Sequence, residues 1–145
     1  MGAQRLTASD VACWVVKTAT PPAALVPGWA PGAVERLDRC VRPSYRLGLV
    51  APGQRCLLWL SGPRQAGVHA VGTVVAAPGD DLTVRLRLLL LPDPAPRADL
   101  LATPLVGAEV VRMPAGSNPS YLTAAQLRPV LDHLSAQERS DAGWA

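Results

Sequence analysis

The chain has 145 residues, the size of one ordinary domain, and 49% of them are hydrophobic against 17% charged, which argues against a disordered protein. Its net charge of +3 permits contact with phosphate groups without requiring it. No apolar run is long enough to cross a bilayer, and the polar N-terminus lacks the apolar segment of a signal peptide, so we expect a cytoplasmic protein with no membrane partner.

We predict that residues 1–10 form a flexible N-terminal tail. The run at 11–16 predicts a first strand with a Trp at its centre, and apolar residues at helical spacing predict a helix over 33–41. Turn signals built from Pro and Gly separate the elements that follow. Further strands are predicted at residues 55–60, 67–77, 82–91 and 108–113, and further helices at 97–102 and 123–134.

The last predicted helix carries a capping-box spacing of Thr123 and Gln126, and residues 135–145 follow it as a polar C-terminal tail. About five short strands with two or three helices, not strictly alternating, argue against a doubly wound sheet. We therefore predict an α/β domain of the α+β type at residues 11–134. Its small mixed sheet would curl into a barrel with the helices at its ends.

Motifs for catalysis or metal binding are absent from the sequence. There is no GxSxG elbow, P-loop or GxGxxG segment, and three cysteines with two histidines give no zinc-site spacing. Neighbouring strands could bring Cys13 and His69 together as nucleophile and base, but ordinary core packing explains both residues better. We expect a protein that is not an enzyme and needs no cofactor.

An aromatic residue followed by polar residues at a strand end occurs twice. Lys17 and Thr18 follow Trp14, and Ser61 follows Trp59. A pocket for an unpaired base needs flat aromatic surfaces with donors and acceptors beside them, which this pattern could supply. Burial of both Trp side chains in the core fits the same pattern equally well.

Four segments in order resemble the EVE domain family. Residues 13–17 (CWVVK) resemble its opening strand, and residues 50–60 (VAPGQRCLLWL) resemble a turn and the strand that follows it. Residues 67–75 (GVHAVGTVV) are similar to the next strand of the family, and residues 114–122 (PAGSNPSYL) to its closing loop. The similarity covers most of the chain.

The resemblance implies a PUA-like pseudobarrel, related to YTH and ASCH domains, that binds DNA or RNA and recognises modified bases. It places the pocket at the ends of the first two matching strands and in the closing loop. The residues at the matching positions are Trp14, Lys17, Thr18, Trp59, Ser61, Asn118, Pro119 and Ser120.

The sequence departs from the family pattern in two places. The family's Glu-Pro after the Lys is missing, and residues 18–21 (TATP) stand there instead. Residues 42–47 (RPSYRL) occupy the position of an Asn-rich helix start. Tyr45 and Arg46 in that segment could replace the lost contacts as a stacking face and a phosphate contact.

We therefore expect a non-catalytic module that holds a base, plain or methylated, between Trp14 and Trp59 or Tyr45. Its affinity for DNA or RNA should fall as salt rises, because basic side chains would contact phosphates. The alternative is a protein-interaction module of the same fold without a base pocket. The expected phosphate contacts are Lys17, Arg46 and Arg64.

Overall fold

The computed structural model describes residues 5–116 and 118–145 of the chain. The strands are β1 Cys13–Thr18, β2 Val34–Cys40, β3 Arg55–Leu60, β4 Gly67–Ala76, β5 Thr83–Pro96 and β6 Ser120–Leu122. The helices are α1 Pro22–Leu25, α2 Arg97–Leu100, α3 Glu109–Arg112, α4 Ala124–His133 and α5 Ala136–Asp141. Short 3-10 turns occupy Ala8–Asp10, Tyr45–Leu49 and Pro104–Gly107. Within these described ranges, every helix is too short or too polar to cross a membrane.

The strands form one mixed sheet in the order β2-β5-β4-β3-β1-β6. β1 and β3 are parallel, and every other neighbouring pair is antiparallel. In the described part of the chain, the outer strands β2 and β6 do not pair with each other, so the sheet is open. The α+β class with a strand-rich core is confirmed, and the sheet has six strands rather than the expected five.

Two hydrophobic cores cover the two faces of the sheet, because successive side chains of a strand point to opposite faces. The helix-side core contains Val15, Leu57 and Leu89 of the sheet with Leu127 and Trp144 from the C-terminal part. The loop-side core contains Trp14, Leu58 and Leu86 of the sheet with Trp29 and Val50 from the loops.

The predicted capping box of α4 is confirmed. The Thr123 hydroxyl accepts a hydrogen bond from the backbone N–H of Gln126 at 3.4 Å, and the Gln126 side chain accepts one from the backbone N–H of Thr123 at 3.0 Å. These two bonds satisfy donors that the first turn of a helix leaves free. The helix continues through Pro129 to His133.

The helix predicted over residues 33–41 is wrong, because β2 occupies this segment. Val34, Leu37 and Val41 have helical spacing, yet the segment pairs with β5 in the register that places Leu37 opposite Leu86. β2 lies at the edge of the sheet, and Leu37 is its only buried residue. An edge strand with polar residues on both faces lacks the alternation by which a strand is recognised.

The strand predicted over residues 108–113 is also wrong, because α3 forms one helical turn there. The backbone N–H of Met113 donates to the carbonyl of Glu109 at 2.7 Å. Ala108 and Val110 are buried in the helix-side core. A short apolar run such as this one has no periodicity that separates a strand from a helical turn.

The two predicted tails have different outcomes. Residues 1–4 of the N-terminal segment lie outside the described residues, and Leu6 within it packs against the loop-side core. The C-terminal segment 135–145 is not a tail, because α5 forms there and Trp144 behind it is buried. Its helix is capped by Ser135 and Glu138, which exchange hydrogen bonds at 2.9 and 3.0 Å.

Candidate functional site

A polar cleft lies where the end of β1 meets the start of β6. We call it the Lys17 cleft. Its volume is about 290 Å³, close to the lower end of the range of about 300–1,000 Å³ that is typical of small-molecule sites. The residues that line it are Lys17, Arg42, Pro43, Ser44, Arg46, Glu109, Met113, Gly116, Asn118, Pro119 and Ser120.

The side chain of Asn118 continues the sheet before the first residue of β6. The register of β1 and β6 pairs Val15 with Ser120, which sets Asn118 opposite Lys17. The backbone carbonyl of Asn118 accepts instead from the N–H of Arg42 at 3.2 Å. The Asn118 side-chain amide accepts from the Lys17 backbone N–H at 2.8 Å and donates to the Lys17 carbonyl at 3.1 Å, so it takes the place of the Asn118 backbone as the partner of Lys17.

Lys17, the only lysine of the chain, has its ammonium group at the wall of the cleft. Nζ donates hydrogen bonds to the carbonyl oxygen of Gly116 and, at 3.4 Å, to that of Pro114. Burial lowers the pKa of Lys17, and the carboxylate of Glu109 acts in the opposite direction. The ammonium group therefore holds the segment 114–116 while its charge lies at the cleft.

Arg46 and Glu109 form a two-pronged ion pair across the cleft. Nη1 and Nη2 of Arg46 donate to the two carboxylate oxygens at 2.8 and 2.6 Å, and Ser120 Oγ donates to Glu109 at 3.1 Å. The hydrogen bond from Arg46 is the main cause that holds the pKa of Glu109 below its ordinary value. Arg46 also donates to the carbonyl of Pro119 at 3.2 Å, so both charges are fixed in place.

The cleft carries a positive balance. Of its four charged residues, three are basic and one is acidic, and Glu109 neutralises Arg46. The exposed side chain of Arg42 makes no hydrogen bond with any other described residue. The charges of Lys17 and Arg42 remain available, which favours an anionic or polar ligand.

Trp14 and Trp59, the expected stacking surfaces, lie on opposite faces of the sheet. Trp14 is 1% exposed in the loop-side core, where Nε1 donates to Gln54 at 2.7 Å, and Trp59 is 3% exposed in the helix-side core. The register of the parallel strands pairs Trp14 with Cys56 and Lys17 with Trp59, so the two rings point in opposite directions. The structure does not form a pocket between them.

Three other residues predicted for the site lie apart from the cleft. Tyr45 is 41% exposed; its hydroxyl accepts from the backbone N–H of Leu6 at 2.9 Å. Thr18 is buried and receives a hydrogen bond from the backbone N–H of Thr20 at 3.0 Å. Ser61 lines a second cleft of about 630 Å³, which is separate from the first.

The thiol and imidazole considered for catalysis are not brought together. Cys13 lies in β1 and His69 in β4, and β3 runs between these two strands. Burial raises the pKa of Cys13 well above its ordinary value, which disfavours the reactive thiolate. His69 Nε2 is 2.5 Å from the carbonyl oxygen of Gln65, so the imidazole ring is held by a hydrogen bond to the backbone.

Sequence reasoning found five residues of the cleft, Lys17, Arg46, Asn118, Pro119 and Ser120, and missed Arg42 and Glu109. Glu109 carries one signal in the sequence, because it is the only acid between Asp99 and Asp132. A lone acid in a long stretch of apolar and basic residues is a candidate for an internal ion pair. The partner of that pair cannot be identified without the fold.

Comparisons with known proteins identify the fold. No protein-family model matches the sequence, and no curated protein matches it. A hypothetical protein from Leishmania major has a TM-score of 0.65 and 13% identity, over 87% of this chain and 96% of that one. Proteins from Pseudomonas putida and Pseudomonas syringae both have TM-scores of 0.58, with 14% and 13% identity. These matches cover 83% and 84% of this chain and 98% and 99% of theirs.

Proposed function

We propose that this chain is an EVE-like, non-catalytic module that binds DNA or RNA and holds one base, plain or methylated, in the Lys17 cleft. The observation that carries the proposal is that five of the ten residues expected at the site line a single cleft. Those residues come from three separate segments of the sequence, at positions 17, 46 and 118–120, and the fold brings them together.

The cleft offers separate groups for the phosphate and for the base. Lys17 and Arg42 supply the positive charge that phosphate contacts require. The Glu109 carboxylate, which is held by Arg46 and Ser120, and the Pro119 carbonyl, which accepts from Arg46, offer acceptors for a base edge. Exposed Met113 supplies an apolar surface at the rim.

This proposal moves the base away from the Trp pair. Trp14 and Trp59 then act as core residues, and the apolar contact with the base falls to Met113, which is exposed at the cleft. A cytoplasmic location belongs to the same proposal, since the three cysteines are free thiols and a reducing compartment keeps them so.

The test is a titration monitored by fluorescence anisotropy of dye-labelled oligonucleotides. All four Trp side chains are buried, so their intrinsic fluorescence reports poorly on the cleft. Short single strands and duplexes of DNA and RNA, with plain or methylated cytosine and adenine, are compared at low and moderate salt. We expect saturable binding that prefers one base and weakens as salt rises.

Two matched variants locate the binding site. Arg42→Gln removes an exposed cleft charge that makes no internal hydrogen bond in the described residues, and we expect binding to weaken about tenfold. Arg128→Gln removes the same charge from α4, where the side chain is 70% exposed, and should change binding by less than about twofold. Equal affinity of both variants would place the ligand elsewhere.

The rival function is a protein-interaction module of the same fold. Val106 and Met113, which are 46% and 60% accessible, are the exposed apolar side chains that a protein partner would cover. Absence of saturable binding to every oligonucleotide at low salt would reject the nucleic-acid proposal and leave this rival. A pull-down that compares the wild type with Met113→Glu would then test the rival directly.

A further inference from the structure

The outer edge of β2 has no partner in the described part of the chain. Hydrogen bonds from Leu90 to Ala33 and from Val41 to Leu82 flank the pairing of β2 with β5. They show that the odd-numbered residues of β2 direct their backbone groups towards β5. The even-numbered residues from 34 to 40 therefore present their N–H and C=O groups outward, and no backbone hydrogen bond from a described residue reaches them.

The charges along β2 are self-complementary for antiparallel pairing. When two copies of the strand are centred on Leu37, Glu35 lies opposite Arg39 and Arg36 lies opposite Asp38. Each ion pair then occurs twice, once on each side of the two-fold axis. Opposite charges directly across an antiparallel pair stabilise it, and like charges destabilise it.

The backbone pattern and the charges together select this register over its neighbours. Antiparallel partners that exchange hydrogen bonds must both present outward groups, so an even-numbered residue must lie opposite an even-numbered one. The register centred on Leu37 satisfies this condition, with Arg36 opposite Asp38. The next registers in either direction also satisfy it, but they place Arg36 opposite its own copy or Asp38 opposite its own copy, which are like-charge pairs.

The charged side chains at this edge lack complete sets of hydrogen-bond and ion-pair partners among the described residues. Arg39 makes no hydrogen bond with a described residue, and its Nε is buried without a partner. Arg36 lies directly opposite Arg87 of β5, an unfavourable like-charge pair. Asp38 accepts from Arg85 at 2.9 Å, with both side chains about half exposed, and can accept a second guanidinium group.

We propose that β2 pairs with β2 of a second copy of this chain, in antiparallel orientation centred on Leu37, and joins the two sheets into one. The paired region ends at Cys40, because the N–H of Arg42, on the same edge of the strand, already donates to the carbonyl of Asn118 at 3.2 Å. The two clefts would lie at opposite ends of the shared ribbon, on the order of 30 Å apart along the strand direction at about 3.3 Å per residue. The dimer stands whether or not the cleft binds nucleic acid.

Sedimentation equilibrium over a wide concentration range tests the dimer. The wild type should approach twice the monomer mass as concentration rises. Glu35→Arg places two arginines opposite each other at both ends and should weaken the dimer by about tenfold. The double variant Glu35→Arg/Arg39→Glu exchanges the charges and should restore it. Asp80→Arg, the same charge change in an exposed turn, should leave the dimer intact.

A monomer at every concentration, or a Glu35→Arg variant that dimerises like the wild type, would overturn the proposal. A cross-link tests the register independently. Val34 lies opposite Cys40 of the second copy, at a Cα separation of about 5.5 Å that suits a disulfide. Val34→Cys should therefore give a covalent dimer on oxidation, and adding Cys40→Ser should abolish it. No cross-link in the folded single variant would exclude this register.

Discussion

The ion pair of Arg46 and Glu109 determines how much charge the cleft can offer a ligand. The Arg46 side chain is 22% exposed and that of Glu109 31%, so water screens their attraction only in part. Removing Glu109 would release the Arg46 guanidinium from its fixed position and leave its charge uncompensated. Glu109 is therefore a determinant both of stability and of the charge at the cleft.

We expect the contribution of Glu109 to stability to depend on pH. The pKa of this carboxyl is lowered in the folded protein, so its contribution is complete above the ordinary value of 4.5 and is lost as pH falls through the lowered folded value. At neutral pH, Glu109→Gln should reduce the free energy of unfolding by about 1–2 kcal/mol. Below pH 4.5 the difference between wild type and variant should shrink.

Urea unfolding of both proteins over a pH series measures this difference. Asp132→Asn is the matched control, because Asp132 pairs with Arg128 on the surface of α4, where both side chains are more than half exposed. Its effect should stay below about 0.5 kcal/mol at every pH. A stability difference for Glu109→Gln that does not change with pH would contradict the assignment of the ion pair.

At the scale of residues, the sequence predicts which side chains matter better than where they point. Lys17 is recognisable as a polar residue beside a predicted strand and Asn118 through the family resemblance, but their contact spans 101 positions and depends on the pairing of β1 with β6. Alternation places Trp14 and Lys17 on opposite faces of β1. The register of β1 and β3, which puts Trp59 beside Lys17 and away from Trp14, is not encoded in either strand alone.

The C-terminal segment shows how a single element completes the helix-side core. Trp144 is 3% exposed, its Nε1 donates to the carbonyl of Gly72 in β4 at 2.7 Å, and the Arg55 guanidinium lies 5.5 Å from its ring. Arg55 also donates to the Trp144 carbonyl at 3.0 Å. The last residues of the chain are therefore attached to the middle of the sheet.

We expect Trp144→Ala to reduce the free energy of unfolding by about 3–5 kcal/mol, because it removes a large buried side chain. Trp144→Phe keeps much of the packing but leaves the Gly72 carbonyl without its donor, and should cost about 1–3 kcal/mol. Chemical denaturation measures both. Gln137→Ala on the exposed face of α5 should change stability by less than about 0.5 kcal/mol. A Trp144→Ala variant as stable as that control would refute the role of the segment.

At the scale of elements, prediction succeeds where a signal is local. β3 occupies the predicted residues 55–60, and the capping box of α4 lies where the spacing placed it. The same spacing, Ser135 followed by Glu138, also precedes α5 and was available in the sequence. β2 could not be recognised in this way, because its strand conformation depends on pairing with β5 and opposes its helical spacing.

For the molecule as a whole, the distribution of charge matters more than the net charge of +3. Arg46 is paired with Glu109, and Arg85 and Arg128 are paired with Asp38 and Asp132. Such pairs release few counterions when a phosphate approaches. The charges that remain at the cleft, Lys17 and Arg42, should dominate the salt dependence of binding to a single strand.

Each phosphate contact to a single strand contributes about −0.7 to the slope of log K against log salt, so two contacts predict a slope of about −1.4 for the wild type. Arg42→Gln should reduce it to about −0.7. Glu109→Gln should steepen it to about −2.1, because the charge of Arg46 then becomes available. Anisotropy titrations over a salt series give the three slopes. If Arg42→Gln and Glu109→Gln both keep the wild-type slope, phosphates do not bind at the Lys17 cleft, whatever the absolute affinity.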